Sequence, residues 1–285
     1  MLLHYNICDV QPYINWDYFF YAWGVHNKPE AEKQSLRREA EDMLALHRDD
    51  YRTHAVFQLF DAYSEGEDIV VSVTDEGGQR RGDTRLPFLR QQQPGSDYLC
   101  LADFIRPLSA HVPSASRSSV PSTDSTIGIF ATSVDHGMET DFDSDPYAKM
   151  MMQLLADRLA EATAERMHEE VRKTYWGYAP DEQLTMAELH VEKFQGIRPA
   201  VGYPSLPDTS LNFVIDKLID IKQIGVRLTE SGAMKPHASV SGFMFAHPQA
   251  RYFALGKIGQ DQLCDYARRR GLPVEVVRKF LFSNL

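Results

Sequence analysis

Residues 54–74, HAVFQLFDAYSEGEDIVVSVT, carry the pattern that decides the fold class. Two segments rich in β-branched and aromatic residues, 54–62 and 68–74, flank a short polar Ser-Glu-Gly-Glu stretch. This arrangement is typical of a β-hairpin, in which two antiparallel strands are joined by a tight turn. Further strands are predicted at 98–101 and 127–134, in a meander-like succession.

The predicted helices lie apart from these strands in the sequence. The longest covers residues 145–174, where Asp145 can cap the N-terminus and Pro146 suits the first turn. Apolar residues recur along it at spacings of three, four and seven, which gives one apolar face. Other helices are predicted after Pro29 and over 211–223, 259–270 and 273–282. Strands that follow one another and helices that are segregated from them predict an α+β fold rather than a βαβ alternation.

Charge and cysteine usage exclude several classes of function. The 285 residues include 40 acidic and 30 basic side chains, for a formal net charge of −10. This balance disfavours nucleic acid and anionic membranes as partners, because both attract basic surfaces. Cys8, Cys100 and Cys264 lie far apart, unlike a secreted disulfide framework. With no signal peptide and no apolar run of the ~18 residues that a membrane span needs, we expect a cytoplasmic protein.

Length alone allows two domains or one large α+β domain. A candidate boundary lies at 109–126, SAHVPSASRSSVPSTDST, with seven serines and two prolines. This composition predicts a mobile surface loop, and the segment is short for a domain linker.

Several common site motifs are absent from the sequence. It contains no GxGxxG dinucleotide fingerprint, no GxxxxGK[ST] phosphate loop, no HExxH zinc motif and no GxSxG nucleophile elbow. The usual dinucleotide cradle is therefore missing, and self-contained hydrolases, kinases and zinc enzymes are disfavoured.

The densest candidate site is the segment 195–204, QGIRPAVGYP. Prolines and glycines stiffen the backbone around Arg198, whose guanidinium can bind a carboxylate through two parallel hydrogen bonds. Gly202 allows close approach of a ligand to the backbone, and Tyr203 offers a ring or hydroxyl beside it. The alternative is that Arg198 closes an internal salt bridge.

A second candidate is 231–253, where small residues alternate with large aromatic ones. Tyr252 and Phe253 could stack on a nucleobase. The alternative is an ordinary core hairpin, with two strands over 238–255 joined at His247-Pro248.

Three further features have both a functional and a structural interpretation. Glu161, on the long helix, could hold an ammonium group or simply face solvent. Asn15 and its neighbours offer polar groups among aromatic rings, either for a ligand or for local structure. Arg268, Arg269 and Arg270 could dock an acidic partner or form a solvated face.

These motifs together resemble a known family. Four segments closely resemble the C-terminal activation domain of cobalamin-dependent methionine synthase: 156–182 (ADRLAEATAERMHEEVRKTYWGYAPDE), 192–208 (EKFQGIRPAVGYPSLPD), 228–253 (LTESGAMKPHASVSGFMFAHPQARYF) and 261–271 (DQLCDYARRRG). The aromatic segment 12–24 and LCLADFIRP at 99–107 look similar to it too. The resemblance covers almost the whole chain and is weakest at the Ser-rich segment.

The resemblance implies a single helmet-like α+β domain over residues 1–285, with a central antiparallel sheet flanked by helices. It implies binding of S-adenosylmethionine in a shallow groove without a Rossmann fold. The domain would donate the sulfonium methyl group to cobalamin that has been oxidised to inactive cob(II)alamin, in a reductive methylation that keeps methionine biosynthesis running. Cobalamin would be presented by the cobalamin-binding module of the synthase, and the electron would come from a flavodoxin-like donor.

The resemblance also assigns roles to individual residues. Arg198 matches the arginine expected on the methionyl carboxylate, and Tyr252 and Phe253 match an aromatic pair of the S-adenosylmethionine site. Tyr203 matches the tyrosine expected to face cobalamin, and Glu161 matches a helical glutamate near the ligand's amino group. Ala200 of the RPAxGYP motif and Asn15 complete the predicted binding site. We predict no catalytic side chain and no metal ligand in this chain.

Two positions depart from the family pattern. The family often has aspartate where this chain has Asn15, and losing that charge should weaken the hold on the ligand's ammonium group. Where the family has Pro-acid-His-Thr, residues 207–210 read PDTS, so a histidine expected near cobalamin is replaced by Thr209. Two other functions therefore remain open: a docking domain without ligand, and a reactivation module for a different corrinoid methyltransferase.

Overall fold

The structure is a computed structural model that describes residues 1–74, 77, 79–110 and 122–285. Its strands form a central antiparallel sheet: β1 (Leu2–Asn6), β2 (Arg52–Glu65), β3 (Asp68–Thr74), β4 (Arg80–Pro87), β5 (Thr126–Val134) and β8 (Ser239–Met244). Two short strands, β6 (Arg227–Leu228) and β7 (Met234–Lys235), pair with each other outside it. In the central sheet the order is β4-β3-β2-β5-β8, and β1 pairs with the first part of β2.

The predicted hairpin is confirmed. Glu65 pairs with Asp68, so the turn between β2 and β3 consists of Gly66 and Glu67. Gly66 has a φ of 61°, a left-handed conformation that glycine adopts without strain.

The helices cover both faces of the sheet and its end. Their bounds are α1 (Ile7–Val10), α2 (Trp16–Trp23), α3 (Glu30–Leu46), α4 (Gly137–Thr140), α5 (Pro146–Glu170), α6 (Met186–His190), α7 (Leu211–Ile219), α8 (Gln260–Arg270) and α9 (Val274–Phe280). Short 3₁₀ turns lie at Gln11–Tyr13, Leu101–Phe104, Leu108–Ala110, Ile221–Ile224 and Phe282–Asn284. The predicted α+β class is therefore confirmed.

Strand β5 shows how the sheet divides the core. All nine of its residues are buried. Ile127 and Ile129 belong to the hydrophobic cluster that includes α7, whereas Phe130 and Val134 belong to the cluster around α5. Side chains of a strand point alternately to its two faces, so both faces of the sheet are covered. A third cluster joins α8 and α9 to Leu89.

The long helix starts and ends close to its predicted bounds. The Asp145 side chain caps α5 by accepting hydrogen bonds from the backbone N–H groups of Tyr147 and Ala148, at 3.0 and 3.1 Å. After Glu170 the chain continues as one π-helical turn, Val171–Tyr175, so the helical path matches the predicted 145–174. Along most of its length α5 packs against β5, β2 and α2, and one face of it remains beside a cavity.

Two strand predictions are wrong. Residues 98–101 form only an isolated bridge between Cys100 and Arg90, because the chain turns into a 3₁₀ helix at Leu101. Residues 238–255 contain one strand, β8, and no second strand follows His247-Pro248. In the Ser-rich segment 109–126, residues 111–121 lie outside the described residues.

Within residues 1–74, 77, 79–110 and 122–285, no helix is long and apolar enough to cross a membrane.

Candidate functional site

A cavity of about 570 Å³ lies between the first turn of α2, one face of α5 and the segments 198–205 and 252–254. Its volume is in the range of small-molecule sites. The structure places all seven predicted binding residues along its lining: Asn15, Glu161, Arg198, Ala200, Tyr203, Tyr252 and Phe253.

The segment that carries Arg198 lies along the edge of β8 as an irregular extra strand. The Phe243 N–H donates to the Pro199 carbonyl at 3.1 Å, and the Val201 N–H donates to the Ser241 carbonyl at 2.9 Å. Gly242 lies opposite Ala200, and a Cβ at Gly242 would collide with the Pro199 carbonyl oxygen. The close approach explains why a glycine stands in the SVSGF motif.

Arg198 both closes an internal ion pair and faces the cavity. Its Nη2 lies 3.0 Å from Glu165 Oε2, and its Nη1 lies 3.1 Å from His168 Nδ1. The side chain is 12% exposed. A guanidinium has five N–H donors, and these two contacts use two of them. The two alternatives left open by the sequence are therefore compatible.

The guanidinium of Arg198 stays protonated and positively charged. Burial alone would lower the pKa of its guanidinium, but the neighbouring Glu165 carboxylate and Tyr252 outweigh burial and raise the pKa above its ordinary value. A permanently charged, partly desolvated guanidinium is a strong binding group for a carboxylate.

Tyr252 is tied to the Arg198 backbone. The Tyr252 hydroxyl accepts a hydrogen bond of 2.8 Å from the Arg198 N–H. Burial raises the pKa of the phenol to about 12. Residues 252–254 reach the cavity without a strand: the Ala250 N–H closes a turn on the His247 carbonyl, and the Leu255 N–H donates to the Pro204 carbonyl. Phe253 is half-buried against the α7 side of the core.

Glu161 and Tyr203 form a pair at the mouth of the cavity. The Tyr203 hydroxyl donates to Glu161 Oε1, and the Tyr203 residue is 50% exposed. Burial of the hydroxyl end, together with the Glu161 charge, raises the pKa of the phenol above its ordinary value of 10.

Asn15 is the N-cap of α2. Its Oδ1 accepts a hydrogen bond of 3.1 Å from the Asp17 N–H. An amide oxygen caps a helix about as well as a carboxylate does. Asn15 in place of the family's aspartate therefore keeps the helix cap and lacks the negative charge at the cavity.

The comparisons with known proteins agree on one family. The family model described as "Vitamin B12 dependent methionine synthase, activation domain" matches residues 6–271. The chain belongs to this family. It is also similar to a crystal structure of the MetH reactivation domain bound to AdoHcy, with 37% sequence identity and a TM-score of 0.87. The match covers 100% of this chain and 90% of that one. The predicted family membership and fold are thus confirmed.

Several residues of this activation domain that line or support the cavity were missed in the sequence. Arg158, Glu165 and Glu192 line it, and His168 lies directly behind Arg198. A signal was present, because Glu161, Glu165 and His168 follow at intervals of four and three residues and therefore share one face of α5. Burial is the first cause that raises the pKa of Glu192, and the Glu165 charge adds to it while Arg198 opposes it.

The arginine cluster is mostly internal, which corrects both of its interpretations, the acidic-partner site and the solvated face. Arg270 is buried against Asp208 at 2.8 Å, and Arg269 is buried against Asp68. Only Arg268 of the three is largely exposed, at 73%, and it pairs with Asp265. The cluster anchors α8 to the rest of the domain rather than offering three free cations.

Asp208, the acidic residue of the PDTS segment, has a structural role. Asp208 also accepts hydrogen bonds from the Tyr266 hydroxyl at 2.7 Å and from the Ser210 N–H at 2.9 Å. Thr209, which stands in place of the expected histidine, donates from its hydroxyl to the Ser231 carbonyl at 3.3 Å.

Proposed function

We propose that this activation domain binds S-adenosylmethionine in the cavity and donates its methyl group for the reductive methylation of cob(II)alamin. The observation that carries the proposal is the convergence of seven residues from four distant segments on one cavity. The similar reactivation-domain structure was solved with AdoHcy. AdoHcy is S-adenosylhomocysteine, which is S-adenosylmethionine without the transferred methyl group. A site that binds one of the two compounds therefore suits the other.

Different residues of the cavity lining suit different chemical groups of S-adenosylmethionine. Arg198 has unused N–H donors for the methionyl carboxylate, and the ring of Tyr252 with Phe253 offers apolar surface to adenine. Glu161 supplies negative charge for the ammonium group. Ala200 offers its small side chain at the point where its segment lies against Gly242 of β8.

Tyr203 is the residue that we assign to the cobalamin side. It lies at the cavity mouth and is half exposed, as a residue between ligand and partner would be. Direct methyl transfer requires the sulfonium carbon and the acceptor atom close together and in line. A cobalamin-binding module of methionine synthase is therefore the partner that we propose for this face, with a flavodoxin-like protein as the electron donor.

We further propose that residues 1–285 act as one activation domain in the cytoplasm. The family match over 6–271 and the shared central sheet support the single domain. Cys8, Cys100 and Cys264 are free thiols, which suits a reducing compartment.

Transfer of a labelled methyl group tests the proposal. The protein is mixed without oxygen with a cobalamin-binding module in the cob(II)alamin state, reduced flavodoxin and S-adenosylmethionine labelled in its methyl group. We expect labelled methylcobalamin on the module and one S-adenosylhomocysteine per methyl transferred. The control replaces S-adenosylmethionine by S-adenosylhomocysteine, which has no methyl group to give.

The same assay separates the two other functions. A docking domain without ligand would bind the module and transfer no label. A module for a different corrinoid methyltransferase would label that corrinoid protein and leave the methionine synthase module unlabelled.

A further inference from the structure

We propose that His168 is a positioning residue, which holds the Arg198 guanidinium in place for the ligand's carboxylate. The inference rests on the proposed function and adds a residue outside the cavity lining to its binding machinery. It is drawn from a buried row of side chains in contact with one another, in the order Glu165, Arg198, His168, Arg172 and Glu182.

The Nδ1 atom of His168 is at the centre of this row of side chains. It lies 2.9 Å from Arg172 Nη1 and 3.1 Å from Arg198 Nη1. The imidazole is completely buried. A guanidinium nitrogen can only donate, so Nδ1 is the acceptor of both contacts and carries no proton. The proton of the ring is therefore on Nε2.

The charges at the two ends balance. Arg198 pairs with Glu165 at 3.0 Å, and Arg172 pairs with Glu182 at 2.7 Å. Two ion pairs thus flank a neutral imidazole. Burial, followed by the charges of Arg172 and Arg198, lowers the pKa of His168 well below its ordinary value, which agrees with the neutral state.

The far arginine, Arg172, is held by several contacts. Arg172 has a fully buried side chain, two further contacts from its Nε to the Glu182 carboxylate, and a guanidinium 4.2 Å from the centre of the Phe194 ring. His168 itself packs edge-on against the same ring, with centroids 5.1 Å apart. The acceptor that Arg198 meets is therefore fixed in place by packing and by a second cation.

Fixing Arg198 in this way has a consequence for binding. A free arginine side chain loses rotational freedom when it grips a ligand, and that loss weakens binding. Contacts at Nη1 and Nη2 orient the guanidinium plane before the ligand arrives. His168 then increases affinity for ligands with a carboxylate, and it has no such effect on ligands without one.

The test compares His168→Leu and His168→Asn by calorimetric titration with S-adenosylmethionine. The Asn Oδ1 occupies about the position of Nδ1, whereas Leu has a similar size and no acceptor. We expect about tenfold weaker binding for His168→Leu and binding within about threefold of the unaltered protein for His168→Asn.

A second ligand distinguishes positioning from a general structural role. Decarboxylated S-adenosylmethionine lacks only the carboxylate, so its affinity should be the same for the unaltered protein and for His168→Leu. Equal loss for both ligands, or no loss for either, would overturn the proposal. If His168→Leu does not fold, His168→Gln replaces it, because its acceptor lies near Nε2 and should not substitute for Nδ1. Binding of His168→Gln as tight as that of His168→Asn would then also overturn the proposal.

Failure of the proposed function gives a different result. In that case the unaltered protein itself shows no heat with S-adenosylmethionine, whatever residue stands at position 168.

Discussion

The Tyr252 hydroxyl accepts a 2.8 Å hydrogen bond from the backbone N–H of Arg198. This contact joins two segments that are 54 residues apart in the sequence. It sets the aromatic surface of residues 252–253 next to the guanidinium that we assign to the ligand carboxylate. The two segments that we assign to the two ends of the proposed ligand thus contact each other directly.

Arg198→Ala should weaken S-adenosylmethionine binding at least tenfold, about 1.4 kcal/mol. The change removes the carboxylate-binding group and also leaves the buried Glu165 without its partner. Calorimetry measures the affinity, and Arg268→Ala serves as a control because it removes an exposed arginine. Unchanged affinity in Arg198→Ala would refute the site assignment.

Tyr252→Ala and Tyr252→Phe separate the ring from its hydroxyl. Loss of the ring should cost about 1–3 kcal/mol of binding if it stacks on adenine. Tyr252→Phe keeps the ring and loses only the hydrogen bond to Arg198, which is worth about 0.5–1.5 kcal/mol. Equal affinities of the two variants would mean that the ring does not contact the ligand. Titrations with S-adenosylhomocysteine provide the measurement.

The phenol of Tyr203 should ionise only well above pH 10. Burial and then the Glu161 carboxylate disfavour the phenolate, so they raise the pKa. Glu161→Gln removes the negative charge and should lower the pKa towards 10. Ultraviolet absorbance during an alkaline titration measures it, and the difference between the protein and Tyr203→Phe isolates this one tyrosine. An unchanged pKa in Glu161→Gln would contradict the pairing.

Gly242→Ala should destabilise the fold by about 1–3 kcal/mol, because a methyl group there collides with the Pro199 carbonyl. The matched control is Gly259→Ala, whose methyl group meets the ends of the Asp261 and Gln92 side chains, which can move away. Thermal unfolding compares the two variants. Equal melting temperatures would show that the segment at Pro199 does not lie tightly on β8.

Arg270→Met should cost about 3–5 kcal/mol of the free energy of unfolding, because it leaves Asp208 buried without a cation. Arg268→Ala should cost less than about 1 kcal/mol, because its ion pair with Asp265 is exposed. Denaturant unfolding gives both values. A small loss in Arg270→Met would argue against the structural role of the arginine cluster.

The parts of the fold that the sequence predicted are those determined locally. The β2-β3 hairpin and α5 follow from alternation, from helical periodicity and from a capping aspartate, all within a short window. Strand β4, RRGDTRLP, was missed because it lies at the edge of the sheet and is largely polar and exposed. Residues 249–255 were predicted as a strand from composition alone, but they find no partner strand.

The site divides in a similar way. Family resemblance named seven residues that line one cavity. The residues alone left a structural alternative for five of these: Asn15, Glu161, Arg198, Tyr252 and Phe253. The support behind them was not predicted, because the contact of His168 with Arg198 joins a helix to a segment 30 residues away in the sequence. Neither of the two interpretations of the arginine cluster, a docking site or a solvated face, holds for Arg269 and Arg270, since sequence does not show which charges are buried against acidic residues of the same domain.

Calorimetric titration of the unaltered protein with S-adenosylmethionine shows directly whether the cavity is a ligand site. We expect saturable heat with one ligand per chain, and competition by S-adenosylhomocysteine for the same site. Absence of heat and of competition with either ligand would contradict it.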